Sequence, residues 1–230
     1  MRRALSITLI AAFAAIYAVL GLIPAFKILG GSGSIPASRL ISPLVGIVLG
    51  PILGAASVTI GALVGTMMNP MAGLGFYSFI PGACCAFSAG MIRRGKAWIA
   101  AAILSGLVII FLIDPINNVQ PIFPYYVWLH LVALLVLVSP IRKQAAELFQ
   151  RTKANEAITA MALIIFPSTM IEQLTGSIIY VTLYGPAVWS AGMLIMTVFP
   201  IERTIITVGS SIIGAALLKS LSAAGIEITG

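Results

Sequence analysis

The sequence predicts an all-α, polytopic membrane bundle, and three observations carry that prediction. Only 8% of the 230 residues are charged while 60% are hydrophobic, against about 25% charged residues in an ordinary soluble domain. The apolar residues fall into runs near the roughly 20 residues that an α-helix needs to cross the hydrocarbon core. The basic residues gather in the turns between those runs. Arg2 and Arg3 precede the first run, Arg93, Arg94 and Lys96 separate two others, Arg142, Lys143, Arg151 and Lys153 share the one long polar stretch, and Lys219 ends the last helix. The net charge of +7 is therefore read as positive-inside topology, which excludes nucleic acid as a partner and places both termini in the cytoplasm of a cell with the chain in its plasma membrane.

Taken in order, residues 4–24 make the first span, closed by Pro24 and retained as a helix, since no small-residue cleavage site follows it. The Gly/Ser-rich stretch "KILGGSGSIPASR" (Lys27–Arg39) is an external loop. "LISPLVGIVLGPILGAASVTIGALVGTMM" (Leu40–Met68) is apolar throughout but broken at Gly50-Pro51. Proline lacks a backbone donor and disfavours helix at the preceding residue, so this stretch is read as a short inward helix, a tight turn and an outward helix. "NPMAGLG" (Asn69–Gly75) is external, residues 76–92 return to the basic turn, and residues 97–113 go out again. After the proline-broken Asp114–Pro124, residues 125–140 go in, starting from an interfacial cluster of Tyr125, Tyr126 and Trp128. Arg142–Glu156 is read as an amphipathic surface helix, residues 157–184 as an outward span and residues 200–221 as the closing inward one. Residues 187–199 are either an external cap or an extension of the last helix. The count is about eight membrane segments in a single integral domain, 1–230.

Chemistry is sought among the charges that break the topology rule. Ionisable residues inside a span are costly and point to function. Glu172 lies about 22 Å along its outward helix, followed by Gln173, Thr175 and Ser177. Glu202 and Arg203 enter from the same outer side, and Arg39 opens the second segment there. Each alone is explained by a paired carboxylate or a snorkelling side chain. Together they come from three distant parts of the chain and converge on the outer half. With Asn69, the external Asn117, Asn118 and Gln120, and the aromatic Tyr77, Tyr180 and Trp189, they make the apolar-walled, sparsely polar pocket typical of a small-ligand site. Adjacent helical residues point about 100° apart, so one of Glu202 and Arg203 is expected to face the ligand and the other the rim. Removing Glu172 or Arg203 is expected to abolish binding and leave the fold.

Small residues at i, i+4 let helices approach closely in lipid. Ala11 with Ala15, and Ala14 with Ala18, offer such faces on the first span, for docking onto another membrane protein or for packing within the bundle. Gly46, Gly50, Gly54, Gly61 and Gly65 form a second face with the same two readings. No enzyme or metal centre is indicated: His130 lies in an apolar helix without a second histidine or a carboxylate nearby, Cys84 and Cys85 are adjacent and read as packing, no cofactor motif is present, and no Gly-rich loop ending in Gly-Lys-Ser/Thr marks an ATPase.

Four stretches resemble the substrate-binding, or S, component of energy-coupling factor (ECF) vitamin transporters. They are "ALSITLIAAFAAIYAVLGLIP", "RLISPLVGIVLGPILGAASVTIGALVG" with its Gly50-Pro51 turn, "AFSAGMIRRGK", and "FPIERTIITVGSSIIGAALLKSL". The resemblance covers somewhat over half of the chain. It implies a six-helix core, with residues 97–140 as an extra hairpin, and a non-enzymatic receptor that takes a vitamin or similar micronutrient from outside. It further implies docking through the first helix onto a transmembrane coupling protein served by two ATPase subunits, toppling of the whole component in the bilayer, and lids formed by 27–39 and 185–199. Two other readings stay open: a self-sufficient channel or secondary transporter, and a membrane enzyme acting on lipid.

Overall fold

The computed structural model describes residues 3–28, 34–69, 74–114, 123–143 and 154–225. Its helices are α1 (Arg3–Gly21), α2 (Ser42–Leu49), α3 (Pro51–Met68), α4 (Phe79–Arg93), α5 (Ala97–Ile113), the single turn α6 (Phe123–Tyr126), α7 (Trp128–Val138), α8 (Ala154–Tyr184) and α9 (Gly192–Ala223). Short 3-10 turns at Ala37–Leu40, Gly75–Ser78 and Pro186–Ala191 lead into α2, α4 and α9. Among the described residues, α1, α3, the 75–93 segment, α8 and α9 are long and apolar enough to cross a bilayer, while the segments ending in α2, α5 and α7 are shorter apolar helices. The chain is thus a multi-pass helical membrane protein.

Its surface is what a lipid-facing bundle requires. Ile7, Ile52, Met67, Trp98, Ile113 and Leu135 are more than 60% exposed, whereas Arg39, Glu172, Glu202 and Arg203 are buried. No hydrophobic drive separates apolar side chains from lipid tails, so packing rests on close contact and internal polar bonds. The glycines show how. A Cβ on Gly61 would lie 2.5 Å from the carbonyl oxygen of Ala14 on α1, and one on Gly54 would lie 2.7 Å from Cα of Gly46. Gly65 faces Ala18. These glycines therefore serve core packing, and with them Ala14 and Ala18 are buried against α3. Only Ala11 and Ala15 of the four alanines remain on the surface. That corrects the wider docking face: the two alanine pairs are neighbours on α1, and the glycine face of α3 claims one of them.

Gly50 has φ +82, a conformation open to glycine, and it joins α2 to α3 in the turn expected at Gly50-Pro51. The turn is held by α4, where Arg93 Nη1 donates to the Ile47 carbonyl at 2.5 Å, so the basic turn and the Gly50-Pro51 turn share one end of the bundle. Helix α8 is the most buried of the long helices. It packs on α4, α5, α7 and α9, so α5 and α7 are integrated into the bundle on its flank.

Several local expectations change. The Lys27–Arg39 loop is partly regular: Pro24–Lys27 (β1) and Ser34–Pro36 (β2) pair antiparallel, with Phe26 opposite Ile35 and Lys27 opposite Ser34. Residues 187–199 divide between the two readings, since 186–191 form a 3-10 turn and α9 begins at Gly192 and runs through Pro200. Of the supposed interfacial cluster, Tyr125 and Trp128 are exposed but Tyr126 is 3% exposed and points inward. The surface helix expected at Arg142–Glu156 falls mostly outside the described residues, as do Asn117, Asn118 and Gln120.

Candidate functional site

A cavity of about 190 Å³ lies beneath the β-hairpin, walled by α1, α3, α8 and α9. The hairpin supplies Lys27, Ile28, Ser34, Ile35 and Pro36 to its mouth. The decisive wall is α8. Glu172, Gln173, Gly176, Ser177 and Tyr180 all line the cavity, at spacings of one, four, five and eight residues, which is one stripe of a 3.6-residue helix.

Two buried ion pairs meet this wall. Arg39 Nη1 donates to Glu172 Oε1 at 2.8 Å, and Ser42 Oγ donates to the same oxygen at 3.0 Å. Arg39 stands on the 3-10 turn after the hairpin and Ser42 opens α2, so the chain enters the bundle through this carboxylate. Glu172 Oε2, also buried, has no hydrogen-bond partner. The second pair is Glu202 with Arg203, which bond each other through Oε1 and Nη2. Arg203 Nη1 also donates to the Thr169 carbonyl at 3.5 Å, one turn before Glu172 on α8, and Arg203 Nε is unpartnered. Glu202 and Arg203 are 7% and 2% exposed. Both therefore face inward, against the expected division between ligand and rim: flexible side chains close the 100° that separates their Cβ directions, and burial favours a paired charge over a lone one.

Beside the charges, with Phe199 one turn before Glu202 and Arg203 on α9, stands an aromatic cluster that the sequence reading did not assemble. Tyr126 packs edge-on to Trp189 at a centroid distance of 4.9 Å and tilted to Phe199 at 5.0 Å, and Phe111 stacks behind it at 5.4 Å. Tyr126 reaches the polar stripe through Ser177, 2.9 Å away, and through Gln173, whose amide nitrogen donates to its hydroxyl. Gln173 Oε1 bonds His130 Nε2 at 2.6 Å. His130 is thus a fully buried member of a polar network behind the cavity.

Of the expected site residues, Arg39, Glu172, Tyr180, Glu202 and Arg203 line the cavity, and so does Trp189. Asn69 does not: it is the half-buried C-cap of α3. Tyr77 does not either, being 46% exposed on the 75–78 turn with its ring edge-on to Phe76, although the neighbouring Ser78 is at the cavity. Tyr126, Gln173, Ser177 and Phe199 are the additions. Among the described residues no three His, Cys, Asp or Glu side chains converge as metal ligands would.

The site is therefore a small, partly open cavity lined by aromatic rings, three cations (Lys27, Arg39, Arg203) and two anions (Glu172, Glu202). Polar groups set among apolar walls suit the binding of a small ligand. A family model for the ECF transporter, substrate-specific component, matches residues 5–184. The chain is 31% identical over 185 residues to the uncharacterized protein MJ0923 of Methanocaldococcus jannaschii, and the alignment covers 80% of this chain. It covers 60% of that relative, so the chain spans less than two thirds of the relative's length. No solved structure gives a significant match. Fold, cavity and family match agree, and the chain belongs to the family of substrate-specific components of ECF transporters.

Proposed function

We propose that this chain is the solute-capturing subunit of an importer, taking a vitamin or similar micronutrient from the outer side of the plasma membrane into the cavity beneath the hairpin. The observation that carries this reading is Glu172. It lines the cavity from α8, and its carboxylate is held in place there by Arg39 and Ser42. A few fixed polar groups in the wall of an otherwise apolar cavity are what orient a small ligand. The protein acts as a single integral domain without enzymatic activity of its own, with its termini and basic turns in the cytoplasm.

Release to the inside needs an energy source, which the family match supports as a transmembrane coupling protein with two ATPases. The face of α1 around Ala11 and Ala15 is the proposed contact. Leucine at both positions is expected to lower the yield of the assembled transporter at least tenfold while the isolated chain keeps its thermal midpoint. Leucine at Ala14 and Ala18 should instead lower that midpoint, because those residues abut Gly61 and Gly65. Co-purification and thermal unfolding in detergent separate the two, and unchanged assembly with the first pair replaced would remove this docking face.

The capture reading is tested by mass spectrometry of the denatured extract of gently purified protein. A stoichiometric small polar compound is expected. Lipid alone, combined with solute flux in proteoliposomes that hold only this chain, would replace the receptor with a self-sufficient transport path.

A further inference from the structure

Helices α5 and α7 pack on the flank of α8, and among the described residues between 97 and 138 Tyr126 alone lines the cavity. What this hairpin contributes to the site therefore passes through that ring. Tyr126 ends α6, a helix of one turn, and so short a helix is not stable by itself. Tertiary contacts must hold the ring in the wall. Phe111, Trp189 and Phe199 surround it, but apolar contact has no preferred direction. Hydrogen bonds do.

Those bonds come from α8. Gln173 and Ser177 stand one turn apart on one face of it. Ser177 Oγ lies 2.9 Å from Tyr126 Oη, and Gln173 Nε2 donates to the same hydroxyl. Gln173 is a long side chain with several torsions of its own, yet its Oε1 is tied to His130 Nε2 at 2.6 Å. A planar amide anchored at its oxygen end is aimed at its nitrogen end. His130 follows Tyr126 by four residues, is fully buried and does not line the cavity. It reaches the site by two routes: the bond to Gln173, and its ring, which stacks on Phe199 at 6.1 Å.

Resting on the capture reading, we propose that His130 is a positioning residue, which acts through Gln173 to hold Tyr126 in the cavity wall, and that Tyr126 is the residue by which the α5–α7 hairpin takes part in solute binding. The bond to Gln173 carries this role. His130→Phe keeps a flat ring against Phe199 and removes the bond, and Tyr126→Phe removes the hydroxyl on which the bond acts.

The test is a double-mutant cycle of these two changes in the full-length chain in mild detergent. Trp98 and Trp128 are exposed and do not line the cavity. With both replaced by phenylalanine, Trp189 is the one indole left, and it lies 4.9 Å from Tyr126. Each single variant is expected to raise acrylamide quenching of Trp189 at least twofold. Each is also expected to retain at least fivefold less of the small compound that denaturing extraction releases from the unaltered protein. The double variant should be no worse than Tyr126→Phe alone, since residues acting through one bond are not additive. If Tyr126→Phe moves neither reading, or if His130→Phe adds its own loss in the Tyr126→Phe background, His130 acts by packing and the proposal is overturned. Should His130→Phe not be recovered folded, Gln173→Met, which keeps the length and removes the amide, takes its place in the cycle with the same expectations. An unaltered protein that releases no small compound removes the capture reading, and the quenching cycle then decides by itself whether His130 holds Tyr126.

Discussion

Glu172→Ala is expected to abolish solute binding and also to lower stability by about 3–5 kcal/mol, the usual cost of truncating one partner of a buried ion pair. The stability part departs from the simple expectation of a binding defect in an intact fold. Arg39 is 8% exposed, and its other bond is a long one of 3.5 Å to the Ser78 carbonyl. Without Glu172 its guanidinium is left charged inside the bundle, and Ser42 loses an acceptor as well. Thermal unfolding in detergent, run beside binding of the copurified solute, reads both effects. The double variant Arg39→Met with Glu172→Met should separate them. With both charges gone, most of the thermal midpoint returns while binding stays absent. If the single variant kept both its midpoint and its affinity, Glu172 would be neither a keystone of the fold nor part of the site.

That dual role explains what was legible in the sequence. Arg39, Glu172, Glu202 and Arg203 stood out because a charge in an apolar span is conspicuous, and the structure brings all four to one cavity. Their pairing was not legible, since it depends on how the 37–40 turn and α9 lie against α8. The Gly50-Pro51 turn was readable because proline and glycine act locally. The neutral polar residues were missed for the opposite reason. Gln173, Ser177, Tyr126 and His130 barely disturb hydropathy, and Tyr126 beside Tyr125 and Trp128 looks like a membrane-interface belt. The spacing of Glu172, Gln173, Gly176, Ser177 and Tyr180 was the available signal, a stripe visible once α8 is taken as one helix. Asn69 and Tyr77 show the converse error. Both lie close in sequence to residues of the cavity, Thr66 and Ser78, but a C-cap and a 3-10 turn leave them outside it. The alanines of α1 could not be sorted from that helix alone, because the glycines of α3 decide which pair is buried.

Gly46→Leu is expected to prevent recovery of folded, monodisperse protein. A Cβ at Gly46 falls on the backbone carbonyl of Ala86, and α4 lies as close to the start of α3, with a Cβ at Gly90 lying 2.5 Å from Pro51 N. Ordinary overpacking costs about 1–3 kcal/mol because side chains change rotamer to make room. Here the obstacle is backbone, which has no rotamer to change, so α2 and α4 must part and the cost exceeds that range. The site is lost with them. Helix α2 begins with Ser42 just after Arg39, and α4 carries Gly82, where even a Cβ would come within 3.3 Å of Arg39 Nη1. Moving either helix takes Arg39 from Glu172. Gly106→Leu on α5 is the matched control, since nothing lies within 4 Å of a Cβ there, and a change within about 0.5 kcal/mol is expected as for surface substitutions. Size-exclusion profiles and thermal midpoints of the two variants, side by side, decide the matter: an unperturbed Gly46→Leu protein would mean that the close α2–α4 crossing does not hold Arg39 in place.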